Sequence, residues 1–112
     1  MGVLFSKVHL TADNGSTEEF LCAGFPEEET DLEDWTAYQD FLEDNPDAEY
    51  LTAEVKSYIY GEGQTYRANE YEIAAYAQRG DDFLSHPDVQ QTQESEFTIL
   101  LDQKEDFEME EL

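Results

Sequence analysis

The chain has 112 residues, of which 29 are Asp or Glu and five are Lys or Arg, a formal charge of −24. This length supports one domain with a single modest core. The charge argues against direct nucleic-acid binding, which needs the opposite sign, and against a membrane surface, whose anionic lipid would repel it.

Intrinsic disorder is the first alternative that such a charge and a mean hydropathy of −0.71 raise. Seven Phe, seven Tyr and one Trp, within 39% hydrophobic residues, supply the apolar area that disordered chains lack. A folded domain is therefore expected over residues 1–101, followed by an acidic flexible tail over 102–112. Adaptation to high salt also yields acidic surfaces, but 18 Glu against 11 Asp and many bulky aromatics lean away from it. Cys22 stands alone in an apolar run and reads as a buried, inert thiol in a reducing compartment. No apolar stretch reaches the roughly 20 residues that span a bilayer, so the expected location is cytoplasmic, in the host cell if a phage encodes the chain. Gly2 and Ser6 satisfy the spacing of an N-myristoylation signal, yet the same residues read as the start of a first strand.

In chain order, Val3 to Thr11 is apolar and β-branched and leads into Asp13-Asn14-Gly15-Ser16, where the Asn-Gly pair suits the positive φ angles of a tight hairpin turn. Thr17 to Phe25 is the returning strand, ended by Pro26. Thr30 and Glu33 have the spacing of a capping box, which predicts a helix from Asp31 to about Asp44 with Leu32, Trp35, Tyr38 and Leu42 as its apolar stripe. From Tyr50 to Tyr60 the period changes to two: Leu51, Ala53, Val55 and Ile59 share one side, and Tyr50, Thr52, Glu54, Lys56, Tyr58 and Tyr60 the other. Asn69 sits at an N-cap position before a second helix over Glu70 to Arg79, with Gly80 as its stop, although residues 65–68 alternate and could extend a hairpin. Asp81 to Gln93 reads as a loop, and Glu96 to Asp102 as a last strand. The order ββαβ(α)β predicts an α+β fold, a small antiparallel sheet with one or two helices packed on one face.

Sites for chemistry are sparse. His9 lies within the first strand, and Ser85-His86-Pro87-Asp88 describes a turn rather than a triad, which needs residues brought together by the fold. The chain has no metalloprotease, Cys/His or EF-hand ligand spacing and no phosphate-binding loop. A non-enzyme without metal or cofactor is expected.

The acids themselves are patterned. Glu27, Glu28, Glu29, Asp31, Glu33, Asp34, Asp40, Glu43, Asp44, Asp47 and Glu49 occupy 23 consecutive residues without one base. Ordinary solvated helix faces mix lysines among acids at i,i+4 spacing. Glu105, Asp106, Glu108, Glu110 and Glu111, interleaved with Phe107 and Met109, could form a second arm on a basic groove. In charge, length and acidic end, the chain resembles the small DNA-mimic proteins that phages and plasmids direct against restriction, CRISPR, repair or nucleoid proteins. That resemblance implies an inhibitor occupying the groove of a basic DNA- or RNA-binding protein, with these sixteen carboxylates as its contacts and Tyr58 and Tyr60 as anchors if exposed. The alternatives are an immunity protein or antitoxin for a basic nuclease, and a salt-adapted domain of unrelated function. A homodimer would extend the charged surface.

Overall fold

Strand β1, Gly2–Ala12, is the axis of the molecule, because its two faces serve two different cores. Successive strand side chains point to opposite faces. Val8, Leu10 and Ala12 therefore share one face, and Val3 and Phe5 lie on the other, all of them buried. The computed structural model describes residues 1–101. Strand β2, Thr17–Ala23, and β3, Tyr50–Tyr60, pair antiparallel on either side of β1, and β5, Val89–Leu100, pairs antiparallel with β3. The sheet order is β2-β1-β3-β5. A short strand β4, Thr65–Arg67, runs parallel to Gly2, Val3 and Leu4 where β2 has ended.

Helix α1, Thr36–Asp44, covers one face: Tyr38 and Phe41 pack with Leu32, Val8, Leu10, Leu51, Ala53, Val55 and Ile99. Helix α2, Glu70–Arg79, with the 3-10 turn Asp81–Ser85, covers the other: Ile73, Tyr76 and Phe83 pack with Val3, Phe5 and Tyr58. The α+β class is as expected, but the helices divide between the faces instead of sharing one. The core changes sides at the register pair Ser6 and Ser57, both fully buried. Their small hydroxyls are satisfied locally, Ser6 Oγ donating to the Gly24 carbonyl at 2.5 Å and Ser57 Oγ lying 2.6 Å from Thr92 Oγ1. Trp35 packs against both clusters.

The change of side corrects the reading of Tyr58 and Tyr60. They do lie on the same side as Tyr50, Thr52, Glu54 and Lys56, but α2 and the 3-10 turn cover that end. Tyr58 is buried beside Phe5, and Tyr60 meets Tyr76 and Phe83 edge-on at 5.8 and 5.1 Å. They are core residues and not surface anchors.

The first helix begins later than its spacing suggests. Residues Glu29–Asp31 form a 3-10 turn, and Trp35, with extended backbone and no side-chain cap, precedes α1. The expected N-cap finds another partner, Thr30 Oγ1 donating to Glu28 Oε1 at 2.9 Å, and next to it Asp31 Oδ2 accepts from the Glu27 amide at 3.0 Å. Short polar side chains often divert a helix start in this way. The delay moves the stripe, so Phe41 is buried and Leu42 only partly so.

At the other end of α1, Asn45 Nδ2 donates to the Phe41 carbonyl at 2.8 Å and its Oδ1 accepts from Asn14 Nδ2 at 3.1 Å, which ties the helix to the β1-β2 turn. In that turn only Gly15 has positive φ, at 93°, with its amide donating to the Ala12 carbonyl. The loop is thus a turn closed by a glycine, not a two-residue turn with both residues left-handed. Strand β2 stops at Ala23, two residues short of expectation, because the backbone turns at Gly24 with φ 67°. Helix α2 has the expected bounds, with Asn69 Oδ1 and the Glu72 side chain completing a reciprocal capping box and Gly80 following Arg79. Strand β5 starts at Val89, inside the expected loop, because an edge strand exposed on both sides shows no apolar alternation there. Its register with β3 skips Thr92, an extra residue of β5 opposite the step from Ser57 to Tyr58.

Candidate acidic interface

The eleven carboxylates of residues 27–49 come from the loop after β2, from α1 and from the loop into β3. Burying Leu32, Tyr38 and Phe41 turns the polar positions of this segment outward. Glu27, Glu28, Asp31, Glu33, Asp34, Asp40, Glu43, Asp44, Asp47 and Glu49 are all exposed, and Glu29 is half-buried. Apart from Glu29, none of them pairs with a Lys, Arg or His among the described residues. Backbone contacts stiffen the surroundings: Gln39 Nε2 donates to the Glu33 carbonyl at 2.8 Å, and the Glu49 amide donates to Asp13 Oδ1 at 3.0 Å. Glu105, Asp106, Glu108, Glu110 and Glu111 lie outside the described residues.

Helix physics does not favour this arrangement. Glu43 and Asp44 stand in the last turn of α1, which has no base, and Asp40 lies one turn before Asp44. An acid at a helix C-terminus opposes the macrodipole at about 0.3–1 kcal/mol. The like-charged pair Asp40 and Asp44 at i,i+4 adds about 0.2–0.5 kcal/mol against the helix.

The tract borders a cleft of about 690 Å³. Thr30, Asp31, Asp34, Trp35 and Thr36 form one wall, and Arg67, Ala68, Asn69 and Glu70 the other. The acidic surface thus continues onto α2, where Tyr71 is 86% exposed and the Tyr66 hydroxyl donates to Glu72 Oε2 at 2.8 Å. That bond holds the Tyr66 hydroxyl above its ordinary pKa. Glu70, Tyr71 and Glu72 escape a sequence reading because they are distant in the chain. The usable signal was the helical phase, which points Tyr71 away from Ile73 and Tyr76.

The part of the α2 face that this helix leaves open carries a different pattern. Register places Thr17, Thr11, Thr52 and Thr98 in one row, Glu19, His9, Glu54 and Glu96 in the next, and Lys7, Lys56 and Glu94 in a third. Two of the four bases of residues 1–101 therefore sit among acids here. Lys7 Nζ lies 3.1 Å from Glu19 and 3.5 Å from Asp81. Burial pulls the Lys7 pKa down, but these two carboxylates outweigh it and hold it above the usual lysine value. The hydrogen bond from Lys7 lowers Glu19 despite its own burial.

His86 Nδ1 accepts the Asp88 amide at 3.1 Å, and its ring meets Tyr60 edge-on, so Ser85 to Asp88 is a turn in the structure as well. Burial pushes the Cys22 thiol up to about 12. Among the described residues, no group of three or more His, Cys, Asp or Glu side chains is arranged to hold a metal ion, and no helix is long and apolar enough to cross a membrane.

The structure thus defines an α+β domain with a one-signed surface over α1 and a mixed-charge open sheet face. Comparison with protein-family models, with curated proteins and with solved structures gives no match to this chain.

Proposed function

We propose that this protein is a nucleic-acid mimic that binds a basic DNA- or RNA-binding protein and inhibits it non-catalytically by occupying its groove. An anti-restriction, anti-CRISPR or similar anti-defence role follows from that mode of action. The observation that carries the reading is that ten exposed carboxylates, without basic partners among the described residues, crowd residues 27–49, three of them on a helix whose own energetics oppose them. A surface kept at a cost to stability has a use elsewhere.

Charge density supports the same reading at a reduced scale. Residues 1–101 contain 23 acidic and four basic side chains, a net of −19, along a long axis of 53 Å. That is one net charge per ~2.8 Å, against one per ~1.7 Å for duplex DNA. Composition alone implies a body roughly 34 Å across and near-equality with DNA; the elongated shape spreads the charge further.

The test is affinity capture from host lysate by the full chain at low salt. A nucleic-acid-binding protein that duplex DNA displaces, and that rising salt releases, is the expected result. Replacing Asp34, Asp40 and Asp44 together by Lys should weaken that complex by roughly 2–5 kcal/mol, the scale for removing paired interface charges, or about 30-fold and more. Specific capture that DNA does not displace would assign an immunity protein or antitoxin instead. Capture that is indifferent to the triple reversal would leave salt adaptation as the source of the charge.

A further inference from the structure

We propose that Arg67 is a specificity-determining residue of the acidic interface, and that its guanidinium takes a carboxylate standing in the groove of the basic partner. On the nucleic-acid-mimic reading, on which this rests, the partner's groove then holds a carboxylate among its lysines and arginines and is not basic throughout.

Four bases stand in residues 1–101, and three of them are matched locally. Lys7 meets Glu19 and Asp81, Lys56 is the cross-strand neighbour of Glu94, and the Arg79 guanidinium lies 4.6 Å from the centre of the Phe83 ring. Arg67 is exposed, and its side chain makes neither an ion pair nor a hydrogen bond among the described residues. It nevertheless lines the cleft, across from Asp31 and Asp34 and on the same wall as Glu70. Relief of local repulsion would bring it onto one of these carboxylates, and it pairs with none of them.

The placement of Arg67 is fixed at both its backbone and its stem. Strand β4 holds the backbone in register with Leu4, whose carbonyl accepts the amides of Ala68 at 3.0 Å and of Gly24 at 3.2 Å. The stem runs along Gly24, where an added Cβ would lie 3.3 Å from Arg67 Nε and 3.6 Å from its Cγ. The glycine that ends β2, with φ 67°, thus also leaves the arginine its bed. A charged group carried on a rigid strand beside the N-cap of α2 is positioned to select what it meets.

The charge of the chain selects the occupant. The planar guanidinium fork matches a carboxylate or a phosphate. A phosphate would arrive on a nucleic acid, which a body with 23 acidic and four basic side chains repels. A carboxylate can arrive on a protein that is basic overall and is drawn in by the surrounding acids. Asp31, Asp34 and Glu70 then meet the Lys and Arg side chains that flank this carboxylate. Against a groove of basic residues alone, Arg67 is a like charge that costs affinity, so it discriminates by repulsion as well as by attraction.

The test is Arg67→Gln in the full chain, titrated calorimetrically against the protein that the wild type captures and duplex DNA displaces. Removing a base from so acidic a surface should, by charge alone, leave binding equal or tighter. A carboxylate contact predicts the opposite sign, a loss of about 10-fold or more, the scale of a charge-assisted hydrogen bond. Arg67→Lys keeps the charge without the fork and should recover part of that loss. Gln and Lys both retain a stem over Gly24, so a merely packing role would leave all three proteins alike. Urea denaturation verifies that the variants fold. The chain has only two arginines, Arg67 and Arg79, which makes the Arg67 Nε–H assignable by NMR. It should exchange freely in the free protein and become protected in the complex. Affinity that is unchanged or raised by Arg67→Gln would overturn the proposal and leave the mimic reading standing. So would an Nε–H already protected in the free chain, which would pair Arg67 within its own molecule, or direct binding of duplex DNA that Arg67→Gln abolishes, which would assign it to a phosphate. If the wild type captures nothing that DNA displaces, both readings fall together.

Discussion

Replacing Tyr38 by Phe should make this protein more stable. The Tyr38 ring is 1% exposed at the centre of the α1 core, yet its hydroxyl has no hydrogen-bond partner. Burial, reinforced by the charges of Glu29 and Glu33, holds its pKa far above the ordinary tyrosine value. A buried hydroxyl left unsatisfied costs about 1–3 kcal/mol, and Phe keeps the ring while removing the oxygen. At the lower end of that range, about 1 kcal/mol corresponds to a rise of ~4–8 °C in the melting temperature of a domain near this size. Urea denaturation should show a higher midpoint with an unchanged m-value, which separates a gain in native stability from a change in the unfolded ensemble. A loss of 1 kcal/mol or more would refute the reasoning, because it would mean that the hydroxyl is bonded in solution and that its environment is polar.

Three further outcomes follow from the same geometry. Stability should rise as NaCl increases from 0.01 to 0.15 M, since screening relieves the repulsion among the 23 acidic side chains of residues 1–101; a melting temperature that falls over this range would contradict that balance. Gly61→Ala should destabilise far more than Gly63→Ala, because both residues have positive φ but a Cβ at Gly61 collides with the Met1 carbonyl while one at Gly63 meets open space. Equal losses by chemical denaturation would remove the steric argument. At alkaline pH, Cys22 and Tyr76 are both raised by burial to about 12, from 9.0 and 10.0 in the unfolded chain. A raised folded-state pKa favours the protonated fold, so their contribution is intact below pH 9 and is lost as pH climbs toward 12. The decline should reach at most about 1.4 kcal/mol per pH unit for each group. Cys22→Ala should flatten its share of the slope in pH-dependent urea titrations, and an unchanged slope would show that the thiol does not titrate in this way.

How much of the molecule was legible in its sequence can be judged element by element. Strand β3 and helix α2 appear with the bounds that their patterns imply, because a two-residue period and a complete cap with a following glycine are local signals that tertiary contacts had no reason to overrule. The capping pattern at Thr30 is just as local, and it failed because the Thr30 hydroxyl turns to Glu28 in a 3-10 turn that Asp31 ties to the Glu27 amide. The acidic tract was visible as composition, and ten of its eleven carboxylates do face solvent. Its continuation across the cleft to Glu70 was not visible, since that neighbourhood exists only when β4 lies beside the start of β1.

By itself the sequence determined the charge, the alternation within each strand and the residue types able to form a core, all of them properties of single residues or of their near neighbours. Which face of the sheet each core occupies was decided by the tertiary structure. Alternation states only that Val8 and Phe5 point in opposite directions, and both faces of β1 are apolar enough to be covered. The covers are α1 and α2, brought to opposite faces by connections that no local pattern encodes. The same choice buried Tyr58 and Tyr60, opened the rows of Thr11 and His9, and left β5 with a free edge.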